Sequence, residues 1–240
     1  MRTEGWAAAA EQGKAQAGRA AAALVENGMR LGLGTGSTVD HFLVELSRRC
    51  REEGLERVVG VPTSQRTHQR ALELGIVLVE LADIGDLDLT VDGADEVDPK
   101  LDLIKGMGGA LFREKMVALA SHRMVVVADS GKSVKRLGTL SPLPVEVVPF
   151  GWSSHSAFFR ECGAEPIQRL TPDGTAYVTD NGNFIVDLTF PDGIPDAMGL
   201  EEALTGRLGV VASGLFLGMA TEVFMGSEDG VITRVRGGGS

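Results

Sequence analysis

The sequence predicts an α/β protein: a mostly parallel sheet with helices on both faces, plus a smaller α+β domain. Short apolar runs alternate with helix-like stretches as far as about residue 130. The alternation breaks after about residue 135, and short Val- and Gly-rich runs return from about residue 208. Alternating strands and helices with short connections indicate parallel strands covered on both sides.

Residues 4–26 are Ala-rich with scattered Lys, Arg, Glu and Gln, a helical composition ended by Gly28, although Gly13 and Gly18 argue against one unbroken helix. Strands are expected at Leu31 to Leu33, Val58 to Val61, Ile76 to Val79, Leu87 to Val91 and Met124 to Ala128. Helix-like stretches at 38–50, 63–74 and 110–121 separate them. Pro142 and Pro144 then precede the β-prone Val145-Glu146-Val147-Val148, and a helix is expected over 153–162. Tyr177-Val178-Thr179 and Phe184 to Leu188 flank Asp180-Asn181-Gly182-Asn183, where Asn-Gly signals a hairpin. The expected division is residues 1–134 with 208–236 as the α/β catalytic domain, 135–207 as the small domain, and 237–240 as a flexible tail. From 208 onward the short strands are expected to rejoin the first sheet.

Composition narrows the function classes. The chain has 240 residues, 43% hydrophobic but only 5% aromatic, so Val, Leu, Ile and Ala must build the core. A formal net charge of −10 opposes non-specific binding to nucleic acid or anionic membranes. An anionic small substrate would need a locally positive pocket. Cys50 and Cys162 form no CxxC pair and suggest a reducing compartment. No apolar run is long enough to cross a membrane, and Ala7 to Ala10, followed at once by Glu11, is too short for a signal peptide. A cytoplasmic location is expected.

Four segments could carry chemistry. In Leu31-Gly32-Leu33-Gly34-Thr35-Gly36-Ser37-Thr38, small residues between a strand and a helix would let backbone approach an anion, and Ser37 or Thr38 could cap the helix. Neither a dinucleotide fingerprint nor a P-loop fits, and a glycine turn feeding a capped helix is an equal alternative. Val91-Asp92-Gly93-Ala94-Asp95-Glu96 ends a strand, where open α/β sheets bind ligands, and its tight turn would present Asp92 and Asp95 together. A solvated acidic turn is the plain alternative; no metal site is expected, since the spacing fits no calcium loop and no His lies close.

The third segment, Lys105-Gly106-Met107-Gly108-Gly109-Ala110, places a cation and glycines before a helix, again an anion-recognition layout. On that helix Phe112, Met116 and Leu119 form the expected apolar stripe, which leaves Glu114 off the core face. The fourth, Ala128-Asp129-Ser130-Gly131-Lys132-Ser133, ends like a P-loop but has Val126 where the first glycine belongs, which excludes an ATP site. Lys132 remains a candidate for a phosphate or hydroxyl contact. His41, His68, His122 and His155 are dispersed without metal or triad spacing.

Taken together, GTGST, DGADE, the lysine–glycine loop with REK, and ADSGKxV resemble the A-type ribose-5-phosphate isomerases in order and spacing, with further likeness in PLPVEVVPF, VTDNGN and GLF. The resemblance covers nearly the whole chain. It implies a Rossmann-like α/β domain with a smaller α+β domain, no cofactor, and interconversion of ribose 5-phosphate and ribulose 5-phosphate. It implies three substrate loops: Thr35, Gly36, Ser37 and Thr38; Asp92, Gly93, Ala94 and Asp95; and Lys105, Gly106, Met107 and Gly108. Glu114 matches the family's proton-transferring glutamate, Lys132 a substrate-binding lysine, and Lys14 an N-terminal phosphate-binding lysine. Met107 departs from a position that is often glycine in the family. Catalytic parts are expected for Glu114, Lys105, Asp92 and Asp95, and a homodimer or homotetramer is expected.

Two rivals carry the same architecture. A sugar-phosphate-sensing regulator should have a DNA-binding segment, and residues 1–30 show no helix-turn-helix pattern. An amino-sugar-phosphate deaminase would release ammonia from glucosamine 6-phosphate.

Overall fold

The computed structural model describes residues 2–237. Residues 238–240, most of the expected tail, lie outside the described residues. In chain order the elements are α1 (Arg2–Ala22), β1 (Arg30–Leu33), α2 (Ser37–Glu52), β2 (Val59–Pro62), α3 (Gln65–Glu73), α4 (Leu81–Ile84) and β3 (Leu89–Gly93). Then follow β4 (Glu96–Val97), β5 (Leu103–Ile104), α5 (Leu111–Leu119), β6 (Met124–Asp129) and β7 (Leu143–Val147). After α6 (Ser156–Glu161) come β8 (Glu165–Gln168), β9 (Phe184–Thr189), α7 (Ala197–Thr205), β10 (Val210–Ser213), β11 (Leu215–Phe216), β12 (Glu222–Ser227) and β13 (Gly230–Val235). Short 3₁₀ turns occupy Ser130–Lys132 and Trp152–His155.

The chain forms two compact units: Met1–Ala94 with Arg113–Lys132 and Gly218–Ser240, and Asp95–Phe112 with Ser133–Leu217. Residues 95–112 and 208–217, which the expected division leaves with the α/β domain, thus cluster with the second unit.

The first unit holds a six-stranded sheet in the order β13-β12-β6-β3-β1-β2, parallel except for the β12–β13 hairpin. Its central strands are buried on both faces, and their alternation shows how. Leu89 and Val91 of β3, with Val125 and Val127 of β6, join a core with Ala17, Ala21 and Phe42 from α1 and α2. Thr90 points to the other face, where its hydroxyl meets Ser121 at 2.6 Å just past the end of α5. On that side Val117 of α5 packs with Val61 and Leu87. Ile76 to Val79, expected as a strand, makes only an isolated bridge from Leu78 to Gly60. This short segment bears the sheet-edge position without a full ladder.

Helix α1 runs unbroken through both glycines. The physical reason is close packing. A Cβ on Gly13 would lie 2.6 Å from the carbonyl oxygen of Gly226 on β12, so two backbones touch there.

The second unit has a four-stranded antiparallel sheet, β10-β7-β9-β8, and a three-stranded one, β11-β5-β4. The expected hairpin is present as a turn: Gly182 N–H donates to the Thr179 carbonyl at 2.9 Å, and Val178 bridges Phe184. Of the late strands, β10 and β11 belong to this unit, whereas β12 and β13 rejoin the first sheet.

Gly13→Ala separates the two effects at that glycine. Helix propensity alone favours Ala by about 1 kcal/mol, but the contact with Gly226 predicts a net destabilisation of about 1–3 kcal/mol. Urea unfolding midpoints check the sign; a more stable variant would contradict the close packing.

Candidate functional site

The strand order places β1 between β2 on one side and β3 on the other. Such a reversal opens a crevice at the carboxyl ends of the strands. At those ends lie the loop after β1, the Asp92 turn of β3 and, just beyond β6, the 3₁₀ turn carrying Lys132.

Asp92 is wholly buried. Its Oδ1 accepts hydrogen bonds from the N–H groups of Thr35 at 3.0 Å and Gly93 at 2.7 Å, joining the first two predicted loops. The loop passes so close that a Cβ on Gly34 would lie 2.2 Å from that same oxygen. The Thr35 hydroxyl faces a hydroxyl cluster, 2.8 Å from both Thr63 Oγ1 and Ser64 Oγ. Thr67 Oγ1 in turn donates to the Gly34 carbonyl at 2.8 Å. Thr35 is thereby tied to the floor of its own loop. Gly36 takes the cap position of α2 with φ 130°, a conformation suited to glycine. Neither Ser37 nor Thr38 is the cap, as the sequence had allowed; they are the first two helical residues, Ser37 exposed and Thr38 buried. The cap residue makes no side-chain bond to this helix start, and helix starts favour negative charge.

Glu114 overturns one expectation. The buried side of α5 is Leu111, Glu114, Val117 and Ala118, whereas Met116 and Leu119 are exposed. Glu114 is only 3% exposed. Two apolar stripes compete at helical spacing, and the sheet selects the slimmer one, because Val117 and Ala118 allow the helix to settle close. The end of α5 sits beside the start of β3, where Leu87 N–H donates to the Ala120 carbonyl at 2.7 Å. The helix therefore runs back along the strands, and its first turn, with Glu114, lies towards their carboxyl ends. Asp92, two residues after Thr90, shares the sheet face that α5 covers. Lys132 is partly exposed, and Lys14 on α1 pairs with Glu11 at 3.5 Å.

The second unit carries the remaining candidates. Asp95 Oδ2 accepts from the Met107 N–H at 3.0 Å, which draws the acidic turn and the lysine–glycine loop together. Lys105 is 1% exposed. Its backbone N–H donates to the Gly214 carbonyl at 2.9 Å, and its ammonium lies 5.4 Å from the centre of the Phe216 ring, a cation–π arrangement. A Cβ on Gly214 would come within 2.3 Å of the Lys105 carbonyl oxygen. The GLF segment is thus the bed of Lys105, a role the sequence did not disclose because the two are distant along the chain. Met107 and Gly108 are exposed.

Two more segments of resemblance prove to be framework. Glu146, in PLPVEVVPF, is wholly buried, and its Oε1 accepts from Thr179 Oγ1 at 2.9 Å, Asn183 Nδ2 at 2.9 Å and Asn181 Nδ2 at 3.2 Å. Those donors are the threonine and both asparagines of VTDNGN. Glu96, also buried, receives the N–H groups of Gly138, Leu140 and Ser141. Among the described residues no cluster of His, Cys, Asp and Glu could hold a metal, and no helix is long and apolar enough to cross a membrane.

Comparison with known proteins agrees with this fold. The family described as ribose 5-phosphate isomerase A (phosphoriboisomerase A) matches residues 59–230. A ribose-5-phosphate isomerase A from Nitrobacter hamburgensis is 50% identical over 224 residues, 91% of this chain and 95% of its own. A solved D-ribose-5-phosphate isomerase in complex with phospho-erythronic acid is 36% identical with a TM-score of 0.91, covering 95% of this chain and 99% of the other. The ribose 5-phosphate isomerase of Plasmodium falciparum also reaches a TM-score of 0.91 at 34% identity, with 95% and 99% covered.

Tyr177, whose hydroxyl donates to the Gly108 carbonyl at 3.4 Å, offers a test of this loop's surroundings. Burial, and then the nearby Asp180 carboxylate, push its phenol above the ordinary value of 10.0. The unfolded chain then releases this proton first, so the stability it contributes is present below about pH 10 and is lost as pH climbs through the folded value. It is the only tyrosine in the chain, so absorbance at the phenolate band follows it alone. Ionisation at or below pH 10 would contradict the burial.

With the geometry and the similarities in agreement over nearly the whole length, the chain belongs to the ribose-5-phosphate isomerase A family and is an aldose–ketose isomerase.

Proposed function

We infer that this chain interconverts D-ribose 5-phosphate and D-ribulose 5-phosphate, in the non-oxidative pentose phosphate pathway, with Glu114 as the proton carrier. The observation that carries the assignment is Glu114 itself, a carboxylate 3% exposed in the first turn of α5. Carboxylates are seldom buried this fully unless packing or chemistry calls for it. The helix start also favours its negative charge.

In the open-chain sugar, Glu114 takes the proton from C2, and the electron pair moves to the C1 carbonyl oxygen to give an enediolate. The same carboxyl returns the proton to C1, while the hydroxyl proton of C2 passes to the oxygen at C1. Lys105 is assigned to stabilise the developing oxyanion, a task for which one preorganised donor contributes about 3–4 kcal/mol. Its burial and its place over the Phe216 ring favour a fixed ammonium. Asp92 and Asp95 are assigned to orient sugar hydroxyls, and one of the two to assist ring opening. The uncapped start of α2, with Gly36, Ser37 and Thr38, is assigned to the phosphate, together with Lys132. Thr35, Gly93, Ala94, Gly106, Met107 and Gly108 are assigned to substrate binding through their backbone.

The protein acts in the cytoplasm on a small sugar phosphate and needs neither nucleic acid nor membrane; both cysteines are unpaired, which supports a reducing compartment. It works as a homodimer or homotetramer. Nearly complete exposure of Phe150 (95%) and Leu208 (96%) supports self-association.

Turnover of ribose 5-phosphate by Glu114→Gln tests the assignment. The amide keeps the size but cannot act as the base, so kcat falls by about 10²–10⁴-fold. KM changes far less, because the phosphate and hydroxyl contacts belong to other residues. Near-normal kcat would move the proton carrier elsewhere.

A further inference from the structure

Arg169 stands outside every segment discussed so far, yet its side chain touches the lysine–glycine loop directly. It follows β8, and its backbone is fixed on both sides: its N–H donates to the Ile185 carbonyl at 2.8 Å, and its carbonyl accepts from Tyr177 N–H at 2.9 Å. The guanidinium forms a two-bond pair with Asp187 on β9, with Nε 2.9 Å from Oδ2 and Nη2 donating to Oδ1. Both side chains are largely buried, 11% and 17% exposed. Nη1 then reaches two successive carbonyls, those of Gly106 at 3.1 Å and Met107 at 3.0 Å. Nη2 also approaches the Met107 sulfur at 3.7 Å, and the Tyr177 ring lies beside the guanidinium, its centre 5.9 Å away.

The consequence follows from peptide planarity. In a trans peptide the C=O and the next N–H point in opposite directions. Turning the Gly106 carbonyl to Arg169 sends the Met107 N–H the other way, where it meets Asp95 at 3.0 Å. Turning the Met107 carbonyl to Arg169 likewise sends the Gly108 N–H away from the guanidinium. A cation on the carbonyl side also polarises both amides and strengthens them as donors.

We propose that Arg169, anchored by Asp187, is a positioning residue that sets the peptides of the Lys105–Gly108 loop, so that the Met107 N–H holds the Asp95 carboxylate and the Gly108 N–H is presented to the sugar. The proposal rests on reading that loop as a substrate loop. The flat, forked guanidinium makes four bonds at once, a two-bond pair with the carboxylate and one to each carbonyl, whereas an ammonium has only three donors and no fork. Glycines would otherwise leave the loop free to turn its peptides over.

The test is steady-state isomerase kinetics of Arg169→Lys and Asp187→Asn beside Lys105→Met, each checked for folding by circular dichroism. For Arg169→Lys, kcat falls by about 10- to 100-fold while KM stays within about threefold. Asp187→Asn shows the same split to a smaller degree, and it carries the test alone if the lysine variant does not fold. Amide hydrogen exchange at Met107 and Gly108 quickens in both, with β7 and β9 unchanged. A folded Arg169→Lys, or failing that Asp187→Asn, with normal kcat would overturn the positioning role. So would a rise in KM at constant kcat, which marks simple loss of binding. If Lys105→Met loses activity in either case, the substrate loop stands and only the role of Arg169 fails. Normal turnover by Lys105→Met removes the loop reading and this proposal with it.

Discussion

The first unit depends on one buried carboxylate that organises backbone. Asp92 sits at the end of β3 with no exposed surface, and one of its oxygens receives the N–H of its neighbour Gly93 and that of Thr35 from the loop after β1. A buried carboxylate requires such donors, since removing its charge from water is costly unless hydrogen bonds replace the solvent. The requirement runs in both directions. The loop after β1 must come close enough to donate, and that approach leaves no room for a side chain at Gly34. The hydroxyls of Thr35, Thr63, Ser64 and Thr67 then close the floor of the loop, so the start of α2 is held from below and open above.

The second unit repeats the device with different residues. Glu96 and Glu146 each gather three donors, and through them the 138–141 turn and the 179–183 turn become fixed parts of the unit. Lys105 rests on Gly214 and Phe216 within this frame. Acidic residues that look like candidates for chemistry are thus divided by their partners. Glu96 and Glu146, which gather several donors inside the frame, hold shape, while Asp92 at the strand end holds the loop after β1. With a net charge of −10, the protein as a whole does not attract an anionic substrate, so any positive potential for one must be local, as at a helix start or a lysine.

Much of this was legible in the sequence, and the rest was hidden for definite reasons. The parallel alternation up to β6 and the hairpin at Asn181-Gly182 follow from local pattern and turn chemistry, and both are present. Helix α5 departs from its pattern because Phe112, Met116 and Leu119 form the stripe of larger residues; only the sheet decides that Leu111, Glu114, Val117 and Ala118 turn inward. Gly13 and Gly18 look like interruptions because helix propensity is a local measure, while close approach to β12 and α2 is not. Ile76 to Val79 has strand composition but only one bridge to pair with. Arg169, Glu146 and Phe216 act across long sequence separations, and no spacing rule signals that kind of contact.

The geometry of the loop after β1 is set by its backbone packed against the buried Asp92 carboxylate. Gly34→Ala tests it with a single methyl group, which would sit 2.2 Å from Asp92 Oδ1 and leaves Glu114 itself unchanged. The quantity to measure is kcat/KM for ribose 5-phosphate in the folded variant. The account predicts a loss of about 100-fold, the size expected when a loop is displaced by about an ångström. A kcat/KM indistinguishable from that of the unmodified chain would contradict it.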